Sequence, residues 1–380
     1  MRIVGIALVV LIGLNAPSTA RAAGCVRPGW SAGGGHGLVA LRPQERLRTC
    51  GGGEVAGLVP VTVPGLRGTL RSPATRVDGL VGLSQLEHGP LDGGGHADLP
   101  RVRSRLETAK HDVMKVRVLL GTILIALALF LPRRALMGGP AAIATALVLS
   151  ALGWSSLTLL GLGTLVLAFL PWRALWVFFA AYLVVLVASP GTQSLALLGP
   201  HPWGGGRFYG VSNELETMLL APALVIGLAA APLVLLTIAW SRAGADGGGL
   251  LVYLAAYARL VPRPRLAAAA VVVLAVLLVL VDAATGGSSH VTHSVTHGTV
   301  FHDLWHRWST SWHALTGAWG RAVVCAICAA VLAWVATRRP RKPIVDAFLI
   351  AILVSLVAND TPQDVLFWGA VNGFALRRAV

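Results

Sequence analysis

From residue 116 to the C-terminus the chain alternates long apolar runs with short breaks that carry Arg, Gly or Pro. The runs cover 116–131, 135–153, 155–171, 174–190, 217–240, 266–283, 319–337, 344–358 and 365–376. A spanning helix needs about 17–25 apolar residues, so this pattern predicts about nine transmembrane helices. The stretch 243–260 fits less well. It opens Ala243-Gly244-Ala245-Asp246-Gly247-Gly248-Gly249, its apolar run is short, and basic residues flank it on both sides. It reads as a re-entrant segment; the alternative divides 217–260 into three short spans with Pro222 and Pro232 as breakers. The expected fold class is an all-α membrane protein, a polytopic transmembrane helical bundle over 116–380.

Two segments precede the bundle. Met1-Arg2 is a minimal positive start, 3–14 is apolar, and Ala20-Arg21-Ala22 is an A-x-A cleavage pattern, so 1–22 reads as a secretory signal peptide. Residues 23–115 would then be exported. They are rich in Gly, Pro and Arg and poor in large apolar side chains. Short Val/Leu runs such as 57–63 are candidate strands, and the Gly clusters at 33–37 and 93–95 are loops. So little apolar material makes a marginal independent domain, and a short, partly disordered exported segment is expected. Cys25 and Cys50 would meet an oxidising compartment, where a disulfide is open to them.

Composition sharpens the membrane reading. Only 12% of residues are charged, 55% are hydrophobic, and the mean hydropathy is +0.72. Soluble domains carry about 25% charged residues. The lipid bilayer is therefore the first partner. The net charge of +15 does not point to nucleic acid, because the basic residues cluster at the ends of apolar runs rather than on one face. With 23–115 outside, alternation puts Arg133, Arg134, Arg173, Arg242, Arg263, Arg265, Arg338, Arg339, Arg341, Lys342, Arg377 and Arg378 in the cytoplasm, against Arg207, Arg307 and Arg321 outside. The positive-inside rule asks for this asymmetry. It implies a multi-pass plasma-membrane protein with a cytoplasmic C-terminus. Arg101, Arg103, Arg105, Lys110, Lys115 and Arg117, at the outer start of the first span, oppose the rule.

Polar residues are densest in the outer loop 204–216. Arg207 offers a bidentate fork to a carboxylate or phosphate. Tyr209, Asn213 and Glu216 would complete a ligand site, with Glu214 or Asp360 as base. The plain alternative is a loop capped by Asn213 and followed by first-turn glutamates, which favour a helix N-terminus. Asn359, Asp360 and Asp246 are further candidates, although this topology puts Asp246 on the inner face. His290, His293 and His297 have the spacing of three imidazoles on one helical face, suited to Zn or Cu(II). Gly286-Gly287 and the surrounding Ser/Thr run argue instead for a solvated loop. Cys325 and Cys328 lie in an Ala/Val-rich span, where small residues serve helix packing.

The run Gly205-Gly206-Arg207-Phe208-Tyr209-Gly210-Val211-Ser212-Asn213-Glu214 resembles a family of uncharacterised bacterial polytopic proteins with an RFYG-x-x-N-type motif. The Gly-rich stretch 244–249 resembles its second motif, and Asn359-Asp360 its third. Longer relatives look as though an exported alkaline-phosphatase-like domain precedes their membrane part, and 70–81 looks like a worn remnant of its end. That remnant is too short for a nucleophile and two metal sites, so phosphatase activity is not expected of this chain alone. The resemblance implies no established activity. The expectation is a cell-envelope membrane protein whose outward-facing polar site binds or processes an envelope precursor. Its rivals are a non-catalytic subunit that positions a phosphatase-like or envelope-biosynthesis partner, and a transporter or flippase.

Overall fold

A computed structural model describes residues 27–30, 34–41, 45–48, 54–88, 91–204, 208–263, 318–359 and 361–380, with isolated positions between 265 and 309. The expected signal peptide, Cys25, Cys50, Arg207, most of the 266–283 run, the His290/His293/His297 group and Asp360 lie outside the described residues.

The N-terminal segment departs from expectation. Its described residues form a mixed six-stranded sheet, where a short, partly disordered segment with a candidate strand at 57–63 was expected; residues 34–37 and 93–95, expected as loops, lie in strands. The strands are β1 (Arg27–Pro28), β2 (Gly34–Ala40), β5 (Leu58–Pro64), β6 (Thr69–Arg71), β7 (Leu80–Gly82) and β8 (Asp92–Gly95). β3 (Leu47–Arg48) and β4 (Glu54–Val55) make a separate hairpin, and α1 (Leu83–His88) follows β7. The sheet order is β1-β5-β2-β6-β8, and β7 runs parallel to β2.

The reason is strand periodicity, which sends alternate side chains to opposite faces. Val39, Val59, Val61, Val63, Leu70 and Val81 build a core on one face. Leu38, Ala40, Val77 and Leu80 build a second on the other, completed by Val102 and Leu106 of the next helix. The segment is too poor in large apolar residues to close both cores alone, so it borrows from the bundle.

That next helix, α2 (Leu99–Phe130), is capped by Asp98, whose Oδ1 accepts from the Arg101 N–H at 3.2 Å. At 1.5 Å per residue it is about 48 Å long. It runs unbroken through the expected boundary at 115/116, its first half on the sheet and its second in the bundle. The bundle continues with α3 (Pro132–Leu152), α4 (Leu157–Ala168), α5 (Ala174–Ala188), α6 (Pro190–Ser194), α7 (Asn213–Val225), α8 (Ala231–Ala239), α9 (Gly247–Leu260), α10 (Trp319–Thr337), α11 (Pro343–Ala358) and α12 (Pro362–Ala379). Among the described residues, α2, α3 and α10 are long and apolar enough to cross a membrane. The helices α4, α5 and α11, and the 228–239 stretch, are apolar but shorter. Val118, Phe130, Val166, Val177, Val184, Ile327, Leu353 and Val357 are all more than half exposed. So many bare aliphatic side chains suit a surface that meets something apolar.

The single span expected over 217–240 is two helices. α7 ends near Ile226, Gly227 breaks the chain at φ +83, and α8 starts with Pro232 in its first turn. Pro222 stays inside α7, so only one of the two expected breakers breaks a helix.

Hydrogen bonds mark the two ends of the bundle. At the end away from the sheet, Arg134 donates to the Phe169 carbonyl, Arg378 to Leu129 and Arg377 to Arg338. Arg259 and Arg341 pair there with Asp346. At the sheet end, Arg105 donates to Ser150 and Leu195, and Arg76 of the β6–β7 turn donates to the carbonyls of Arg242 and Val187. Arg242 and Asp246 therefore sit at the sheet end. The expected topology separated them from 208–216, whereas the structure gathers them at the same end. The cause is the extra reversal at Gly227, which returns α8 to the sheet end.

Candidate functional site at the sheet end of the bundle

The segment 208–216 joins three parts of the molecule. Phe208 packs into the second sheet core, beside Gly82. The Tyr209 hydroxyl donates to the Ser241 carbonyl at 3.1 Å, and the Arg76 guanidinium lies over its ring at 4.8 Å. Gly210 has φ +90, and any side chain there would run into the Gly244 carbonyl. The Val211 N–H donates to that same carbonyl at 2.8 Å. The first Gly-rich motif is thus clamped to the second. Ser212, not Asn213, caps α7, its hydroxyl accepting from the Leu215 N–H. Asn213 Nδ2 instead donates to Thr361 Oγ1 at 3.0 Å, at the start of α12.

Two buried polar clusters follow along α7. The first centres on Glu214, which is 4% exposed. Its Oε2 accepts from Arg117 Nε at 3.1 Å and Nη2 at 2.8 Å, and its Oε1 accepts from Trp368 Nε1 at 3.1 Å. Arg117 Nη2 also reaches Asp364 Oδ2 at 3.2 Å, and His201 Nε2 lies 4.0 Å from Glu214 Oε2. A carboxylate that already accepts three N–H donors has little capacity left for a substrate proton. Glu214 suits holding Arg117 in place better than serving as a base. The Arg117 side chain keeps 30% of its surface exposed, so it can meet a ligand.

The second cluster centres on Glu216, which is 1% exposed. Its Oε2 accepts from Asn359 Nδ2 at 3.0 Å, and Asn359 Nδ2 also donates to Ser355 Oγ at 2.8 Å. The Tyr253 hydroxyl donates to the Glu216 carbonyl at 2.9 Å. Asp246 caps α9, its Oδ1 accepting from the Gly249 N–H at 3.1 Å. A Cβ on Gly248 would lie 2.6 Å from Asn359 Oδ1, so glycine permits this approach of α9 to Asn359. Glu214, Glu216, Asp246 and Asp364 all sit at the caps or in the first turns of α7, α9 and α12, where helix dipoles favour negative charge.

Of the sequence-predicted residues, Tyr209, Asn213, Glu214, Glu216, Asp246 and Asn359 are thus gathered at one end of the bundle. Glu214 pairs with Arg117, a residue that the sequence offered only as a charge opposing the expected topology. Trp368, Asp364, His201 and Tyr253 were also missed. Arg117 carried a legible signal, a guanidinium inside the first apolar run. Trp368 and Tyr253 looked like ordinary core aromatics. Cys325 and Cys328 are free, buried thiols on α10. Among the described residues no group of three or more His, Cys, Asp or Glu is placed to hold a metal. The chain matches no family model, no curated protein and no solved structure.

Proposed function

We propose that this chain is a multi-pass protein of the bacterial plasma membrane, with the sheet outside and a polar site at the outer end of its bundle that binds or processes an envelope precursor. One observation carries the reading. Segment 208–216, segment 244–249, Asn359 and residues 361–364, far apart in sequence, meet around Glu214 and Glu216, two almost fully buried carboxylates. Ionisable groups inside a membrane bundle are costly and are kept where they act. Arg117 would hold an anionic group of the precursor, Glu214 and Asp364 would orient Arg117, and Asp360 and Asn359 would border the ligand. Support for the orientation comes from the basic residues gathered at the end away from the sheet.

The short helices α7, α8 and α9, with carboxylates at two of their N-termini, favour a second reading as a transporter, where broken helices form the binding site. Complementation of a deletion strain tests the site common to both. Glu214→Gln, Glu216→Gln and Asp360→Asn should reach the membrane at the wild-type level yet fail to complement. Full rescue by all three would remove the site. Uptake or export of a labelled precursor by vesicles carrying the protein alone would then separate the transporter from the enzyme.

A further inference from the structure

An open cleft of about 380 Å³ lies where the sheet meets the bundle. Its sheet wall carries Arg71, Arg76, Asp78 and Asp92, and its bundle wall is Val187 and Pro190. Pockets that hold small ligands measure about 300–1,000 Å³ and favour junctions between structural units, so this one suits a small occupant. Its walls are fixed. The Thr75 and Arg76 N–H groups both donate to the Ser72 carbonyl, and Arg76 closes that turn at φ +56. This backbone region is rare for a residue with a side chain. Here the side chain reaches the carbonyls of Val187 and Arg242, which pins the sheet wall to the bundle wall. Gly95 lets the Arg71–Asp78 pair lie close over β8. A Cβ there would stand 3.1 Å from Arg71 Cγ and 3.2 Å from Asp78 Oδ2.

The charged groups of the cleft are open to a ligand. Arg71 donates through Nε to Asp78 Oδ1 at 2.9 Å, and its two terminal nitrogens have no partner among the described residues. The Arg71 side chain is 53% exposed and that of Asp78 42%. Asp92 is exposed and pairs with no described cation. Strands β6 and β8 set Arg71 opposite Asp92, and antiparallel partners have Cα atoms about 4.5–5.5 Å apart. A fork for an anion and a carboxylate for an ammonium therefore stand side by side. An anion alone would meet Asp78 and Asp92, and a cation alone would meet Arg71 and Arg76. A molecule with both charges a few bonds apart satisfies both, and Val77, Val187 and Pro190 meet its aliphatic part. We propose that this cleft binds a small zwitterion, a primary ammonium joined by a short aliphatic link to a carboxylate or phosphate. Arg71 takes the anion, as a guanidinium fork does, and Asp92 takes the ammonium. Amino acids and phosphoethanolamine lipid headgroups share this chemistry. Val184, 63% exposed and one turn before Val187 on α5, gives a lipid tail a place beside the cleft.

The cleft shares no residue with the Glu214 cluster, and its test does not need the envelope precursor. Full-length protein in detergent is titrated by calorimetry with O-phosphoethanolamine and with L-alanine. Inorganic phosphate and ethylamine serve as single-charge controls. At least one zwitterion should bind in the millimolar range or tighter, and at least about tenfold more tightly than either control. Arg71→Gln and Asp92→Asn should each weaken it at least about tenfold, the loss of one charge-assisted hydrogen bond. Both side chains are exposed and an exposed ion pair adds little to stability, so both variants should melt near the wild-type temperature without ligand. A free amino acid as the natural occupant predicts that L-alanine binds more tightly than phosphoethanolamine. A lipid headgroup predicts the reverse order, and predicts that nanodiscs of phosphatidylethanolamine, unlike those of phosphatidylcholine, block phosphoethanolamine. Binding of neither zwitterion overturns the proposal. So does phosphate that binds as tightly as phosphoethanolamine, and so does wild-type affinity in both variants.

Discussion

At the scale of single residues, the Glu214 cluster is decided by what each group would lose on being left alone. Arg117 is the one guanidinium shared by Glu214 and Asp364. Arg117→Ala would take its guanidinium from the buried Glu214 carboxylate, and breaking a buried ion pair costs roughly 3–5 kcal/mol. Trp368→Phe removes one donor to a charged acceptor, worth about 1.5–3 kcal/mol, and leaves a small void where the buried indole packed. Unfolding in mixed detergent micelles should therefore rank Arg117→Ala below Trp368→Phe, and both below wild type. Equal stabilities would mean that the cluster is wet and only loosely joined. The sequence announced Glu214, Glu216 and Asn359 because charged and amide groups are scarce in apolar surroundings. It could not announce their partners. Arg117 and Glu214 are 97 residues apart, and the packing of α12 against both α2 and α7 brings them together.

At the scale of elements, periodicity located α3, α4, α5, α10, α11 and α12 within a few residues, but it started α2 at 116 rather than 99, missed α6 and merged α7 with α8. It misjudged the region where glycine and proline are frequent. The 217–240 run is uniformly apolar, so hydropathy alone cannot see that Gly227 stops α7 and that α8 turns back. The strands of 27–95 were underestimated for the opposite reason. Their apolar alternation lasts only a few residues each, and the second core closes only when α2 supplies Val102 and Leu106. The extra reversal has a measurable consequence. A single cysteine placed at Arg242 should react with an impermeant reagent added outside the cell, while one at Arg263 should be protected. Protection at Arg242 would contradict the return of α8 to the sheet end and restore one long span over 217–240. A further outcome belongs here. Gly248→Ala would push α9 from Asn359 and should lower stability by about 1–3 kcal/mol, while Gly320→Ala, with open space around it, should not.

At the scale of the whole molecule, sheet and bundle behave as one cooperative body because they share a core. Leu38, Ala40, Val77 and Leu80 from the sheet pack with Val102 and Leu106 of α2, with Leu195 and with Phe208. Arg76 adds two hydrogen bonds to backbone carbonyls of the bundle and a stacking contact on Tyr209. The same 208–216 segment that fills the sheet core also carries Glu214 and Glu216, so loosening the sheet must loosen the site. Phe208→Ala tests this link. Phe208 is half-buried, so its truncation should cost about 2 kcal/mol, less than a fully buried phenylalanine. Hydrogen exchange should then accelerate together at β2, β7 and the first turn of α7, since all three depend on this contact. Phe130→Ala removes a ring that is 79% exposed and should leave those amides unchanged. Faster exchange confined to β2 and β7 would mean that the sheet opens independently of α7. Glu214 and Glu216 would then be held by the bundle alone, through Arg117, Trp368 and Asn359.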